Sequence, residues 1–322
     1  MSEPMFERVA LIGLGLIGSS LSHAIRRGGI ARSISGHAQS AKTRDTALRL
    51  GLAESVYATA AEAARDADLI VLCAPVGVCG KLAQEMATAI RPGAIVTDVG
   101  SVKGAIVREV GPHLPQGVHF IPGHPIAGTE HSGPESGFAE LFDGRWCVLT
   151  PPAGTDKAAI AKLTAFWKAC GSHVEIMDAD HHDMVLAITS HVPHLIAYNI
   201  VNTARHLERV TDSEVIKFSA GGFRDFTRIA ASDPVMWRDV FLNNKEAVLE
   251  MLGRFSEDLT ALQRAIRFGE ADTLHRLFVE ARATRRGIIE AGQDTPAPDF
   301  GRHGGGHGAD ASATTGKKPA AT

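Results

Sequence analysis

The sequence lacks the cysteine pattern of a disulfide-stabilised or metal-binding protein. Its 322 residues include four cysteines, none of them in a CxxC pair, at Cys73, Cys79, Cys147 and Cys170. A chain of this length does not need disulfide bonds to stabilise its fold, so we interpret the four as free thiols in a reducing compartment.

A strong charge of either sign is also absent. The chain has 33 Lys and Arg residues against 36 Asp and Glu residues, which gives a formal net charge of −3. Proteins that bind nucleic acid or membrane surfaces are usually basic, so the balance predicts neither partner. The hydrophobic content of 44% is ordinary for globular proteins and excludes a chain that is disordered throughout.

The N-terminal segment has neither the charge of a signal peptide nor the length of a membrane span. Glu3 and Glu7 stand around the first apolar residues, where a signal peptide would be basic. The longest uncharged run near the start, residues 9–22, contains three glycines and is shorter than the roughly 18 residues of a span. We expect a soluble, cytoplasmic protein.

What the first half does contain is an alternation of short apolar runs with helical patterns. The predicted strands are 9–12, 33–36, 69–74, 95–98 and 147–150, and the predicted helices are 16–27, 41–50, 78–90 and 103–110. The clearest strands are continuous apolar runs, as burial on both faces requires. The pattern predicts an α/β fold with a Rossmann-type, doubly wound parallel sheet covered by helices.

After about residue 176 the pattern changes to apolar residues at spacings of three and four, which predicts a mostly α-helical domain. The predicted helical segments are 178–205, 211–220, 234–268 and 272–291. Because 234–268 is long for one globular helix, we expect it to pack against a second subunit in a homodimer.

We therefore expect three regions. A dinucleotide-binding domain should occupy residues 1–176, and a helical substrate and dimerisation domain should occupy residues 177–293. Residues 294–322 contain one Phe and no Leu, Ile, Val or Met. Such a tail buries too little apolar surface to offset its chain entropy, and we expect it to be disordered.

Gly13, Gly15 and Gly18 form a GxGxxG motif between a predicted strand and a predicted helix. In a dinucleotide-binding turn the first glycine permits the turn, the second leaves room for the pyrophosphate, and the third lets the helix pack closely on the strand. The helix start, with Leu16 and Ile17, should bind the phosphates through N–H groups and the helix dipole. The alternative is a glycine-rich turn without a ligand.

Further cofactor contacts are expected at neighbouring strand ends. Ala74 and Pro75 follow one predicted strand and should line the nucleotide crevice. His37 ends another, where a carboxylate for the ribose hydroxyls is typical of NAD enzymes. Lys42 and Arg44 follow instead. We predict NAD as the cofactor, with NADP left possible.

Two polar residues are placed to face the nicotinamide. Ser101 follows the predicted strand 95–98, at the edge of the sheet where the nicotinamide should lie. His124 stands between Gly123 and Pro125 in a predicted irregular loop, and we expect it to face a cavity. The alternative is a surface histidine that bonds only its own backbone.

Five motifs occur in order along the chain: GLGLIG at 13–18, DVGSVK at 98–103, GHPIAGTE at 123–130, SHVPHLIA at 190–197 and GGFRDFTRIA at 221–230. With them the chain resembles the prephenate and arogenate dehydrogenase family over all but its tail. The resemblance implies an NAD(P)-dependent oxidative decarboxylation in tyrosine biosynthesis. The product is 4-hydroxyphenylpyruvate from prephenate or tyrosine from arogenate, and the sequence leaves the two substrates open.

The resemblance also implies roles for individual residues. His124 matches the catalytic base, and Ser101 the residue that orients this histidine and the nicotinamide. Arg228 matches the arginine that binds the ring carboxylate, although an ordinary ion pair with Asp225 is an alternative. His194 is similar to a substrate-side histidine, a role that His191 could also fill.

The resemblance also implies three residues at the entrance of the site. Glu130 is similar to an acidic residue at the pocket entrance, and Asp225 to its partner in a polar gate. Gly221 is placed at the substrate site, in a turn where feedback inhibition by tyrosine could act. The sequence does not decide whether such inhibition occurs.

Three other interpretations were weighed. A catalytic metal site could use His181, His182, Asp183, His191 and His194, but their spacings match no strong metal signature, so no metal is predicted. A β-hydroxyacid dehydrogenase would need a lysine that residues 183–202 lack. A nucleotide-sensing regulator without turnover would not need the set of Ser101, His124 and Arg228.

Overall fold

In the computed structural model, continuous apolar runs form a six-stranded parallel sheet in the order β3-β2-β1-β4-β5-β6. The strands are β1 (Phe6–Ile12), β2 (Ala31–His37), β3 (Ser55–Tyr57), β4 (Leu69–Leu72), β5 (Ile95–Asp98) and β6 (His119–Phe120). In the central register, Val9 pairs with Ile34 of β2 and Leu69 of β4. The predicted Rossmann-type sheet is confirmed.

Helices cover both faces of this sheet. They are α1 (Leu16–Gly28), α2 (Ala41–Arg49), α3 (Ala60–Ala64), α4 (Val76–Met86), α5 (Lys103–Val110) and α6 (Lys157–Ala169). Along β1, Val9 and Leu11 belong to one buried cluster, whereas Ala10 and Ile12 belong to another. Because successive side chains of a strand point to opposite faces, the two clusters are cores on the two sides of the sheet.

A second, three-stranded sheet was not predicted. It contains β7 (Gly123–Pro125), β8 (Trp146–Leu149) and β9 (His173–Ile176), with β7 antiparallel and β9 parallel to β8. The predicted strand 147–150 therefore exists but does not belong to the parallel sheet. Strands of three or four residues carry too little periodicity to be assigned to a sheet from sequence.

The same sheet corrects the environment expected for His124. The residue lies on β7 opposite Val148, not in an irregular loop. Strand β7 is an edge strand, where Pro125 is tolerated because its missing N–H removes no interior ladder bond.

The second half is helical, as predicted. It contains α7 (Ala179–Leu186), a π-helical turn (Ala187–His191), α8 (Val192–Glu208), α9 (Gly221–Thr227), α10 (Pro234–Asn243), α11 (Lys245–Phe268) and α12 (Ala271–Glu290). The predicted single helix 234–268 is interrupted at Asn244, whose φ of −112° and ψ of 35° are not helical. Asn244 is buried, so the interruption places a polar side chain inside the protein.

The structure describes residues 3–129, 131–208 and 217–290. The predicted tail 294–322 and most of the predicted helix 211–220 lie outside these residues. The chain divides into two compact units, Met1–Ser256 and Glu257–Thr322, and the expected boundary at residue 176 stays a prediction. The helical stretch Ala179–Leu207 is long and apolar enough, by length and composition alone, to cross a membrane. In its most apolar 18-residue segment, 28% is buried inside the protein.

Candidate active site

The turn after β1 requires glycine at two positions. Gly13 has a φ of +113°, and a Cβ there would lie 2.6 Å from the carbonyl oxygen of Cys73. A Cβ on Gly18 would lie 2.1 Å from the carbonyl oxygen of Gly13. A Cβ on Gly15 would meet no atom within 4 Å, so this glycine faces open space at the start of α1.

The start of α1 is suited to an anion. Gly15 provides no side-chain cap, and the first turn of the helix contains no acidic residue. The N–H groups of Leu16 and Ile17 therefore point from a positive helix end toward the open space beside Gly15. These features fit the pyrophosphate of a dinucleotide, which needs uncapped N–H donors and no side chain in its path.

The other expected cofactor residues border the same edge of the sheet. Ala74 is half-buried after β4, and Pro75 is exposed at the start of α4. His37, at the end of β2, is buried, and its carbonyl oxygen accepts the N–H of Gly13 at 3.0 Å. Burial lowers the pKa of His37, which favours a neutral ring.

A cation lies close to the end of β2. Nη1 of Arg44 donates to the carbonyl oxygens of Ala38 and Gln39 at 2.9 and 2.8 Å. This arrangement places a guanidinium, not a carboxylate, beside the turn that precedes α2. The surroundings of the turn are compatible with a ribose that carries either a hydroxyl or a phosphate.

A buried ion pair joins three elements of the site. The ammonium of Lys103, at the start of α5, contacts the carboxylate of Asp98, at the end of β5, and neither side chain is exposed. Nζ of Lys103 also donates to the carbonyl oxygen of Gly123 at 2.7 Å, and Gly123 N–H donates to Asp98 at 3.0 Å. The pair therefore holds the residue before His124. This role was not predicted from the sequence, although both residues stand in the DVGSVK motif.

His124 is linked to two residues that the sequence pattern suggested only as alternative metal ligands. Its Nδ1 lies 2.8 Å from Nε2 of His182, and Nδ1 of His182 lies 2.8 Å from Oδ1 of Asp183. All three residues are buried. Within the described residues, no protein group hydrogen-bonds Nε2 of His124, so this nitrogen remains for another partner.

Burial sets the protonation of this pair of histidines. It lowers the pKa of His124 well below 6.5, and the neighbouring His182 and Lys103 lower it further. Burial also lowers the pKa of His182, against the opposing effect of Asp183. Both rings are therefore neutral at neutral pH, and a neutral His124 can accept a proton.

Ser101 was expected to orient His124, but the structure gives that contact to His182. Among the described residues no hydrogen bond joins the Ser101 hydroxyl to the His124 ring. Ser101 is half-buried in the turn between β5 and α5, at the sheet edge where the nicotinamide is expected. The backbone of Ser101 lies against His191, a buried ring that also contacts Nδ2 of Asn244 at 3.1 Å.

His194 has different surroundings from His191. Its ring stacks on Trp237, with centroids 3.6 Å apart and planes inclined by 22°. Its Nδ1 lies 2.8 Å from the carbonyl oxygen of Ser190. Burial lowers the pKa of His194, and the charge of Arg228 lowers it further. Of the two candidates, His194 is therefore the one close to the expected carboxylate-binding arginine.

The residues expected at the pocket entrance are only partly described. Asp225 accepts from Nε of its neighbour Arg224 at 3.2 Å. Gly221 begins α9, and a Cβ there would lie 3.8 Å from Asp225. Glu130 lies outside the described residues.

The residues considered as metal ligands are not grouped into a coordination site within residues 3–129, 131–208 and 217–290. In the described part of the chain, no three His, Cys, Asp or Glu side chains are arranged to hold a metal ion. Of the residues weighed for that role, His182 and Asp183 hydrogen-bond one another and His181 is exposed.

Two family models match the chain. The nucleotide-binding domain of prephenate dehydrogenase matches residues 21–176, and the dimerization domain of prephenate dehydrogenase matches residues 178–280. Among curated proteins, the cyclohexadienyl dehydrogenase of Zymomonas mobilis is 41% identical over 87% of this chain and 96% of its own length. The prephenate dehydrogenase of Bacillus subtilis is 33% identical over 88% of this chain and 76% of its own.

Solved structures agree with these matches. A prephenate dehydrogenase from A. aeolicus, crystallised with hydroxyphenyl propionate and NAD+, superposes with a TM-score of 0.82 and 34% identity over 88% of this chain and 98% of its own. The arogenate dehydrogenase of Synechocystis superposes with a TM-score of 0.73 and 27% identity over 87% of this chain and 99% of its own.

Proposed function

Because this chain belongs to the prephenate dehydrogenase family, we propose that it catalyses the oxidative decarboxylation of prephenate or arogenate with His124 as the base. The chain is an NAD-dependent oxidoreductase of this family. The family assignment takes the place of two alternative interpretations of the sequence, a β-hydroxyacid dehydrogenase and a nucleotide-sensing regulator without turnover. NADP stays a possible alternative cofactor, because Arg44 stands where a carboxylate would oppose the extra phosphate.

One observation carries the proposal: His124 is held through Nδ1 by His182 and keeps Nε2 free of protein partners within the described residues, while burial lowers its pKa and so favours the neutral ring. In the proposed reaction Nε2 accepts the proton of the C4 hydroxyl while C4 loses a hydride. NAD, when bound, takes up that hydride. The ring carboxylate leaves as carbon dioxide, its bonding electrons complete the aromatic ring, and the C4 oxygen takes the proton back from Nε2 to give the phenol.

The residues at the strand ends would bind the cofactor. The α1 start, with Gly13, Gly15 and Gly18, would bind the pyrophosphate for the reasons of space and N–H orientation given above. His37, Ala74 and Pro75 would line the remaining crevice. Ser101, at the end of β5, would contact the nicotinamide side of the site.

Arg228 and His194 would bind the substrate on the side of its ring carboxylate. The two lie close enough for the charge of Arg228 to lower the pKa of His194, and Trp237 fixes the His194 ring by stacking. The charge of the ring carboxylate is lost as carbon dioxide departs, so strong binding of this group stabilises the ground state more than the transition state. Arg228 would therefore act mainly in binding and orientation.

Glu130, Asp225 and Gly221 would form the entrance. Asp225 is held by Arg224 in α9, close to Gly221, which supports a gate built on this short helix. The part of Glu130 in that gate stays a prediction.

We further propose a homodimer formed through the helical region and acting in the cytoplasm. The large apolar helix residues that are exposed on the single chain include Ile200, Leu207, Leu242 and Leu249. Exposed apolar surface of this kind is typical of a subunit contact. The proposed subunit contact would also cover the apolar stretch Ala179–Leu207. Light scattering should give twice the chain mass of 34.1 kDa; a monomer at micromolar concentration would contradict the proposal.

The central experiment follows reduced-cofactor absorbance with the purified chain. Prephenate, arogenate and 3-hydroxy acids are supplied in turn, each with NAD+ and with NADP+. We expect reduction with prephenate, arogenate or both, and none with 3-hydroxy acids. Cofactor binding without turnover of either cyclohexadienol would overturn the proposed function, and activity that survives exhaustive chelation would remove a catalytic metal.

A further inference from the structure

We propose that His182 and Asp183 are positioning residues that keep the proton of neutral His124 on Nδ1, so that Nε2 always presents a lone pair to the substrate. This inference rests on the proposed function and adds a tautomer-setting pair to the base. Both residues are buried, and in this proposal they act only through His124.

The direction of the hydrogen bonds is set at Asp183. Its Oδ1 accepts the N–H of Lys103 at 2.7 Å, and its Oδ2 accepts the N–H of Gly104 at 2.8 Å. Both N–H groups belong to the first turn of α5, where the helix dipole is positive. Since a backbone N–H donates to each of its two oxygens, the Asp183 carboxylate acts as an acceptor at both.

The remaining directions follow from this carboxylate. Because Asp183 can only accept, the hydrogen shared with His182 must be on Nδ1 of His182. Neutral His182 then has a lone pair on Nε2, and this nitrogen can only accept from His124. The hydrogen between the two rings must therefore be on Nδ1 of His124. A neutral imidazole with its proton on Nδ1 has its free lone pair on Nε2, as a general base requires.

The surroundings hold the pair in this arrangement. Nδ2 of Asn244 donates to the backbone carbonyl of Asp183 at 2.9 Å. This bond fixes α7 to Asn244, the residue that separates α10 from α11. The other charged or titratable groups around the pair are Lys103 and Asp98, which bind one another, and His191, which contacts Asn244. None of these donates a proton to Nδ1 of His124.

The decisive variant is Asp183→Asn. An amide at this position must turn one N–H toward its partners, and the partner that can accept it is Nδ1 of His182. His182 would then carry its proton on Nε2 and donate to His124, which would leave neutral His124 with its proton on Nε2 and no lone pair for the substrate. In the Ser-His-Asp triad the same substitution lowers kcat about 10⁴-fold through the wrong tautomer.

We expect Asp183→Asn to lower kcat by about 10² to 10⁴ while the KM for the cyclohexadienol changes by less than about threefold. The kcat of the variant should rise with pH above 8 as hydroxide replaces the base, whereas the wild-type profile stays level. His182→Gln, which keeps an amide able to accept and donate, should retain more kcat than His182→Leu. The matched controls are Asp180→Asn and His181→Gln, which change exposed neighbours on the same helix.

A second readout does not depend on turnover. Long-range proton–nitrogen correlation spectra of histidine-labelled protein distinguish the two neutral tautomers, and the His124→Asn variant identifies the signals of His124. We expect the wild-type ring to carry its proton on Nδ1. A proton on Nε2, or Asp183→Asn with wild-type kcat and pH profile, would overturn the inference. If the wild-type chain oxidised neither cyclohexadienol, the proposed function would fail while these spectra still decided the tautomer.

Discussion

The ammonium of Lys103 and the carboxylate of Asp98 form an ion pair from which solvent is excluded, with 0% exposure of both side chains. The pair is saturated by its surroundings, because Asp98 also accepts from Gly100 N–H at 2.7 Å and both partners bond the backbone of Gly123. It thereby joins the end of β5 to the strand that carries His124.

Breaking this pair should destabilise the fold strongly. Lys103→Met leaves the buried carboxylate of Asp98 uncompensated, and we expect a loss of about 3–5 kcal/mol in the free energy of unfolding. Urea denaturation measures the change. The double variant Lys103→Met with Asp98→Asn should recover part of the loss, and the exposed Lys81→Met should cost less than about 0.5 kcal/mol. A loss of that small size for Lys103→Met would contradict a structural role.

Replacing the proposed base should affect turnover and leave binding intact. His124→Asn should lower kcat by about 10² to 10⁴, the usual contribution of a general base. Since burial lowers the pKa of His124 well below 6.5, the wild-type kcat should also decline on the acid side only well below that pH. Steady-state kinetics test both statements, with the exposed His131→Asn as the control. A decrease in kcat of less than tenfold would show that His124 is not the general base.

The proposed carboxylate-binding residue should show the opposite kinetic pattern. Lys cannot reproduce the bidentate geometry of a guanidinium, so Arg228→Lys should raise KM by about 10- to 100-fold and lower kcat by less than about tenfold. Initial rates over a range of substrate concentrations separate the two constants. Arg238→Lys, an exposed arginine that pairs with Asp239, is the matched control. An unchanged KM would show that Arg228 does not bind the substrate.

Buried histidines should make stability depend on pH. The pKa of folded His191 is lowered from 6.5 to about 4, chiefly by burial. Between these values the unfolded chain binds more protons than the folded chain, so stability decreases as the pH falls. From pH 7 to pH 5 His191 alone should remove about 2 kcal/mol.

The test is urea denaturation at pH 7 and pH 5 for the wild-type chain and for His191→Gln. The variant does not titrate at this position and should lose about 2 kcal/mol less than the wild type over the same interval. Equal losses in the two proteins would show that His191 is not held neutral by the fold.

The glycine turn allows cofactor binding to be separated from folding. A Cβ on Gly15 meets no protein atom, so Gly15→Ala should cost less than about 1 kcal/mol in stability. It should nevertheless weaken NAD binding at least about tenfold, because the methyl group occupies space expected for the pyrophosphate. Gly18→Ala should destabilise the fold by several kcal/mol through its clash with Gly13. Calorimetry measures the affinity for NAD. Unchanged affinity in Gly15→Ala would show that the pyrophosphate does not bind at this turn.

The parallel sheet could be predicted, and the glycine turn and His124 could be singled out, because their signals are local. Gly13, Gly15 and Gly18 follow an apolar strand directly, and His124 stands in the GHPIAGTE motif. The hydrogen-bond partner of His124 could not be predicted, because His182 reaches it from a helix 58 residues away in sequence. The triplet of His181, His182 and Asp183 was visible, but the sequence does not tell which of these side chains is buried.

Asn244 illustrates the same limit in the helical region. Its flanking residues continue a helical pattern on both sides, so nothing local predicts the interruption. The cause is tertiary: the Asn244 side chain satisfies the carbonyl of Asp183 and contacts His191, which outweighs the helical preference of its neighbours.

The π-helical turn at Ala187–His191 places one additional residue between the segment that carries His182 and the segment that carries His194. A π-helical turn accommodates the additional residue as a bulge within the helix, so deleting one residue here would restore regular α-helical hydrogen bonding and close the widened turn that ends at His191. The consequence falls on the turn itself, because Ala187 and His191 are both buried and a shorter segment would shift them out of their present packing.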